Sequence, residues 1–205
     1  MLIIIHRVNT IEKLKTIPSE FGVEIDIRAQ GDKLILNHEP YENGDDLEEY
    51  LEHFKHAFVI FNIKEAGVEK RVLELAAKHN ITNFFLLDVE PYYIYHATKS
   101  GIRNIALRFS ENEPIEGALV YKDKADWVWI DIPTILPVTE QNHSILSQFK
   151  TCLVCPERWG RPEEIPLYIE RLRELDFPLT AVMTSMHHVD TWLSFDKTKD
   201  SVDKN

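Results

Sequence analysis

Short, wholly apolar runs alternate along the chain with longer stretches in which apolar positions recur every three or four residues. The short runs predict strands over 2–6, 22–27, 33–37, 57–63, 84–88, 104–109, 127–132, 152–156 and 179–184. The longer stretches predict helices near 10–17, 45–54, 68–79, 91–100, 113–121, 139–149, 163–175 and 186–194. From Glu69 to His79, for example, apolar residues fall at helical spacing with charges between them. Phe58-Val59-Ile60-Phe61 and Phe84-Phe85-Leu86-Leu87 are apolar at every position, the pattern of strands covered on both faces. Gly67 and Gly101 mark element boundaries, and Pro91, Pro114 and Pro162 suit helix starts.

Repeated strand–helix units imply a parallel sheet. With 33–37 taken as a partner of the second strand, about eight units remain, the number that closes a barrel. The expectation is an α/β protein, a single compact (β/α)8 TIM barrel over 1–196, with a polar tail over 197–205. Such barrels run to roughly 250 residues, so a chain of 205 needs tight loops.

Composition narrows the partners. Hydrophobic content of 44% and charged content of 28% are those of an ordinary globular domain. A net charge of -11 argues against a nucleic-acid partner, which wants a basic stripe to replace counterions. A small phosphorylated ligand stays possible, because site charge is local and a metal inverts it. No stretch approaches the roughly 20 apolar residues of a membrane span. The first apolar run lacks the flanks of a signal peptide, so a cytoplasmic location is expected. Cys152 and Cys155 stand in an apolar run, where positions three apart face opposite ways. Two buried thiols are expected rather than a metal or redox pair.

In a barrel of this kind functional residues gather at the C-terminal ends of the strands. Those positions hold His6 and Arg7; Glu24, Asp26 and Arg28; His38; Asn62 and Lys64; Asp88 and Glu90; Arg108; Asp131; Glu157 and Arg158; and Thr184. Glu24 and Asp26 are two apart, so on a strand both face one way. Two carboxylates there must share a proton or a cation, unless one pairs with Arg7 or Lys64. Hard oxygen donors with no thiolate nearby favour Mg²⁺ or Ca²⁺. His6 and His38 are the natural acid and base. His53, His56, His79, His96 and His143 lie on helical patterns, and His187-His188 reads as a solvated helix start. Arg7, Lys64 and Arg108 supply positive charge for an anionic group. Together these suit phosphodiester cleavage.

The sequence resembles the glycerophosphodiester phosphodiesterase family, within the phosphatidylinositol-phospholipase-C-like barrels. The matching segments are Ile5-His6-Arg7, Gly22-Val23-Glu24-Ile25-Asp26, Leu34-Ile35-Leu36-Asn37-His38-Glu39 and Asn62-Ile63-Lys64. They cover about the first sixty-five residues in the family's order. The resemblance implies a metal-dependent hydrolase of small glycerophosphodiesters. His6 and His38 would be the acid–base pair, Glu24, Asp26 and Asn62 the metal ligands, and Arg7 and Lys64 the phosphate-facing groups. Some relatives attack with a substrate hydroxyl and form a cyclic phosphate. The chain departs from the family at Val8 for glycine, Glu39 for aspartate, and Asn62 where a third carboxylate is the rule. The segment carrying the family's ENT motif is compressed to Val8-Asn9-Thr10. An amide oxygen still ligates Mg²⁺ or Ca²⁺, with one less negative charge.

Two other readings stand beside this one. A degraded barrel would bind a phosphorylated or sugar ligand without hydrolysis. An aldolase- or isomerase-like barrel would use Lys64 as an amine nucleophile. The alcohol groups and the oligomeric state are not legible at this level.

Overall fold

The structure is a computed structural model that describes residues 1–197, and its chain falls into two units, Ile4–Ala106 and Met1–Ile3 with the chain from Leu107 onward. In the first unit lie the second half of β1 (Leu2–Ile5), then α1 (Ile11–Leu14), β2 (Gly22–Gln30), β3 (Lys33–Leu36) and β4 (Asp45–Asp46). It continues through α2 (Leu47–Glu52), β5 (Phe58–Ile63), α3 (Glu69–Lys78), β6 (Phe84–Leu87) and α4 (Pro91–Lys99). β2 is the organising strand. Its first half pairs in parallel with β1 on one side and β5 on the other, and β5 pairs in parallel with β6. Its second half turns into an antiparallel hairpin with β3, as the sequence pattern expects. Gly31, at φ 57°, closes that hairpin, a backbone region where a side chain is strained.

Gly22 opens β2 between β1 and β5 because nothing larger fits. A Cβ there would collide with the Ile4 side chain and crowd Phe58. The strands that carry the site are therefore drawn together at their start by a missing side chain. Val23, Ile25, Ile27, Val59, Ile60 and Phe61 are sealed from solvent around them. Burying each such side chain contributes about 1.5–3 kcal/mol.

The second unit continues the alternation: β7 (Ala106–Phe109), which begins at the end of the first unit, then α5 (Glu116–Leu119), β8 (Trp127–Ile130), α6 (Glu140–Leu146), β9 (Lys150–Val154), α7 (Ile165–Glu174), β10 (Ala181–Thr184) and α8 (Val189–Lys197). β8, β9 and β10 pair in parallel, and the Leu2 amide bonds the Thr180 carbonyl at 2.8 Å. Cys152 and Cys155 are buried free thiols, and the Trp192 indole N–H points at Cys155 Sγ, 3.0 Å away.

Every expected strand and helix appears, with shifted ends. The two-residue β4 and a 3-10 turn over Pro156–Trp159 are additional. α1 and α5 are single turns where longer helices were expected. His56 corrects a smaller expectation: it lies in the loop before β5, its Nε2 3.0 Å from the Ile17 carbonyl. The expected tail lies outside the described residues except Lys197, which ends α8. Among the described residues no helix is long and apolar enough to cross a membrane.

Candidate active site

Alternation along β2 turns Glu24 and Asp26 to one face, and the register sets Asp26 opposite Asn62 on β5. All three are buried: Glu24 at 1%, Asp26 at 0% and Asn62 at 7% exposure. Asn62 Nδ2 donates to Glu24 Oε1 at 2.8 Å, and the Arg7 amide donates to Glu24 Oε2 at 2.8 Å. Asn9 grips Asp26 twice: its Nδ2 donates to Oδ2 at 2.8 Å, and its Oδ1 accepts from the Asp26 amide at 2.9 Å.

Beyond β1 the chain turns sharply at Arg7, whose φ of 51° is left-handed and strained for a side chain of that size. The corner is tied from several sides. The Val8 amide bonds the Glu24 carbonyl at 2.8 Å, and the buried Tyr50 hydroxyl bonds the Val8 carbonyl at 2.8 Å. Lys13 Nζ donates to the carbonyls of Arg7 at 2.7 Å and His6 at 3.2 Å. Burial, then the nearby Arg7 charge, lower the Lys13 pKa, while Glu24 opposes the shift. His6 Nε2 lies 4.0 Å from Glu24 Oε2. Non-glycine residues hold such backbone only where the surroundings over-determine it, and they cluster at functional sites.

His38 follows β3, next to Asn37, whose amide bonds the Asp26 carbonyl at 3.0 Å. Its Nδ1 is 2.6 Å from Glu39 Oε1, and hydrogen bonding to His38 lowers the Glu39 pKa. Arg28 fastens the neighbourhood, donating through Nη2 to the His38 carbonyl at 2.9 Å and through Nη1 to the Lys64 carbonyl at 3.4 Å. Lys64 Nζ stands between two carboxylates, 3.3 Å from Asp26 Oδ1 and 3.5 Å from Asp88 Oδ2. Asp88, like Arg7, has a left-handed backbone, φ 58°.

The electrostatics are unbalanced. Burial first, then the Asp26 charge, push the Glu24 carboxyl up to about 7, although Asn62, the Arg7 amide and Lys64 oppose the shift. Among the buried polar atoms without a hydrogen bond, three belong to this cluster: Asp26 Oδ1, Asn62 Oδ1 and Arg7 Nε. Buried orphans are costly and rare in native proteins. Two of them are hard oxygen acceptors beside a carboxylate, the donor set of Mg²⁺ or Ca²⁺. The third is a guanidinium donor, matched to an anionic oxygen. The donor chemistry of Glu24, Asp26 and Asn62 is thus compatible with a divalent cation. Among the described residues no group of three His, Cys, Asp or Glu side chains is placed to hold a metal; the third donor here is an amide.

Seven of the eight expected site residues, His6, Arg7, Glu24, Asp26, His38, Asn62 and Lys64, thus belong to the first unit. Arg108 belongs to the second. There its Nε donates to Glu113 at 2.7 Å and its Nη2 to Asp131 at 2.9 Å. Asp131 also accepts from the Trp159 indole at 3.2 Å. Glu157 takes the Thr184 hydroxyl at 2.7 Å and the Ser185 amide at 2.9 Å. Sequence reasoning assigned nothing to Asn9, Lys13, Arg28 or Glu39 as partners. Asn9 and Glu39 carried a signal, since both sit in segments that match the family. Arg28 stands among the strand-end positions read from the sequence, but its bonds, like those of Lys13, go to backbone carbonyls, which no residue pattern encodes.

No known family model matches the sequence, and no curated protein matches it. Solved structures do. A protein of Agrobacterium tumefaciens strain C58 described as a glycerophosphoryl diester phosphodiesterase superposes with a TM-score of 0.63 at 12% identity, over 90% of this chain and 93% of its own. A glycerophosphodiester phosphodiesterase of the same strain gives 0.61 at 13% identity, over 89% and 96%. A mutant tryptophan synthase α-subunit of Pyrococcus furiosus gives 0.53 at 13% identity, over 90% and 86%. At these identities the likeness shows the fold, the expected α/β TIM-barrel class. That differently named proteins share it is a reminder that function resides in the site.

Proposed function

We propose that this protein is a phosphodiester hydrolase that uses a divalent cation and acts on a small molecule of the glycerophosphodiester kind. One observation carries the reading: Arg7 Nε, a buried donor without a hydrogen bond, stands with two buried acceptors that accept none, Asp26 Oδ1, which is 3.3 Å from Lys64 Nζ, and Asn62 Oδ1. Donor and acceptors left open together suit an anion and a cation held side by side, which is what a metal-bound phosphate presents. Two solved neighbours of the same fold carry phosphodiesterase names, which supports the reading.

Glu24, Asp26 and Asn62 would hold Mg²⁺ or Ca²⁺. When bound, such a cation polarises the phosphoryl oxygen and offsets charge building up at phosphorus. Arg7 and Lys64 hold the non-bridging oxygens, Arg7 through its fork and Lys64 as a point charge. One imidazole of the His6 and His38 pair accepts a proton from the attacking water. As the new bond to phosphorus forms and the bond to the alcohol breaks, the other imidazolium protonates the departing oxygen. Glu39 holds His38 through Nδ1, which leaves Nε2 for the substrate. The products are an alcohol and a phosphomonoester. Arg108, already bound by two carboxylates, is assigned no part.

The test follows product formation from a set of glycerophosphodiesters by phosphorus NMR, with Mg²⁺ or Ca²⁺ and with excess chelator. Monoester production that needs the metal is expected; full activity in chelator would remove the metal from the proposal. A second reading rests on Asn62, whose amide already donates to Glu24 where the family has a carboxylate. Diesters that raise the melting temperature without turnover would favour that reading, a binding protein on a retired barrel.

A further inference from the structure

Arg28 continues the row of Glu24 and Asp26. Positions two apart on a strand face one way, so its side chain leaves β2 on the face that carries the two carboxylates. Both neighbouring strands end beside it. Ile27 pairs with Leu36, the last residue of β3, and with Ile63, the last residue of β5. One further bond follows on each side: the Asn37 amide reaches the Asp26 carbonyl and the Lys64 amide the Ile27 carbonyl, each at 3.0 Å. Past those bonds the two chains leave the sheet, and their carbonyls need donors from elsewhere.

Arg28 supplies them. Its Nε and Nη2 donate to the His38 carbonyl at 3.3 and 2.9 Å, and its Nη1 donates to the Lys64 carbonyl at 3.4 Å. A guanidinium holds its donors in one rigid plane, so a single side chain spans carbonyls from two different strand ends. Other contacts orient the tips of the same residues: Glu39 holds His38 Nδ1, and Asp26 and Asp88 flank Lys64 Nζ. Arg28 joins their backbones.

We propose that Arg28 is a positioning residue, which fixes His38 and Lys64 relative to one another by clamping their carbonyls. The roles of proton carrier and phosphate-holding cation come from the phosphodiester-hydrolase reading, on which the proposal rests. A direct hold on the phosphate suits Arg28 less well, because Nε, Nη1 and Nη2 each donate to a carbonyl already. Misplacing a reacting group by about 1 Å costs about 10²-fold in rate, so a clamp remote from the reacting atoms still governs turnover.

The test uses Arg28→Lys, which keeps the charge but loses the fork, and Arg28→Gln, which loses both. Hydrogen–deuterium exchange of the full chain should quicken in both 37–44 and 64–67 in each variant, and stay level in α3 and β6. Each variant should lose about 10²-fold in kcat for diester hydrolysis. Calorimetry with inorganic phosphate and Mg²⁺ should show weaker phosphate binding in Arg28→Lys, and no further loss when Arg28→Lys is added to Lys64→Met. A role for charge alone would leave Arg28→Lys at the wild-type rate and impair Arg28→Gln, and would overturn the clamp. Faster exchange in one segment without the other would overturn it as well. A wild type that turns over no diester would overturn the hydrolase reading instead, and exchange and phosphate binding would then decide the clamp by themselves.

Discussion

Arg7 and Arg108 both stand at the C-terminal end of a parallel strand, and both read from sequence as partners for an anion. Arg108 spends its guanidinium on Glu113 and Asp131, an internal network that includes the Trp159 indole. Arg7 sits on a strained backbone, its buried Nε without a hydrogen bond and 4.0 Å from Asp26 Oδ2. The difference separates two uses of one residue type. Both guanidinium contacts of Arg108 are short and made within the protein, whereas Arg7 Nε makes no hydrogen bond, and the proposed phosphate would supply one.

The account is most exposed at the histidines. His6→Ala and His38→Ala should each lower diester hydrolysis by about 10²–10⁴-fold, with the melting temperature little changed. Variants that keep activity would place the chemistry elsewhere. Next, Arg7→Ala should lower kcat/KM by about 10²-fold, equivalent to roughly 2.7 kcal/mol. Arg108→Ala should leave kcat/KM unchanged, and equal losses would erase the distinction between the two arginines.

Smaller effects concern the buried carboxylates. The Glu24 pKa is raised on folding, from the ordinary 4.5 to about 7. The folded state then holds the proton more tightly than the unfolded chain. The contribution is fully present below about pH 4.5 and is lost as pH rises through about 7. In chelator, thermal stability of the wild type should fall across that window relative to Glu24→Gln, by a few kcal/mol at most. Parallel curves for the two proteins would show that Glu24 is already neutralised by its neighbours. The smallest effect is that of Arg108→Ala on stability. Its pairs are partly exposed, so about 1 kcal/mol is expected, a drop of roughly 2–4 °C in melting temperature.

The strand–helix order was legible because burial on both faces leaves continuous apolar runs, and every expected strand appeared. Site residues on regular strands were legible for the same reason: alternation alone places Glu24 and Asp26 together, and register adds Asn62. What escaped depends on loops. Asn9 reaches Asp26 across 17 residues only because the chain turns at Arg7, a left-handed position that a sequence motif does not announce. Arg108 shows the opposite case. Its place at a strand end is visible in the sequence, but Glu113 and Asp131 as its partners are not.

Calorimetric titration of inorganic phosphate, with and without Mg²⁺ or Ca²⁺, tests the central claim most directly, because it asks whether the unpartnered donor and acceptors form one site. Each ligand should tighten the other by the same factor, as linkage requires. Phosphate binding should be lost in Arg7→Ala and metal binding in Asp26→Asn. Failure of metal and phosphate to bind, or binding of the two with no mutual effect, would contradict the account.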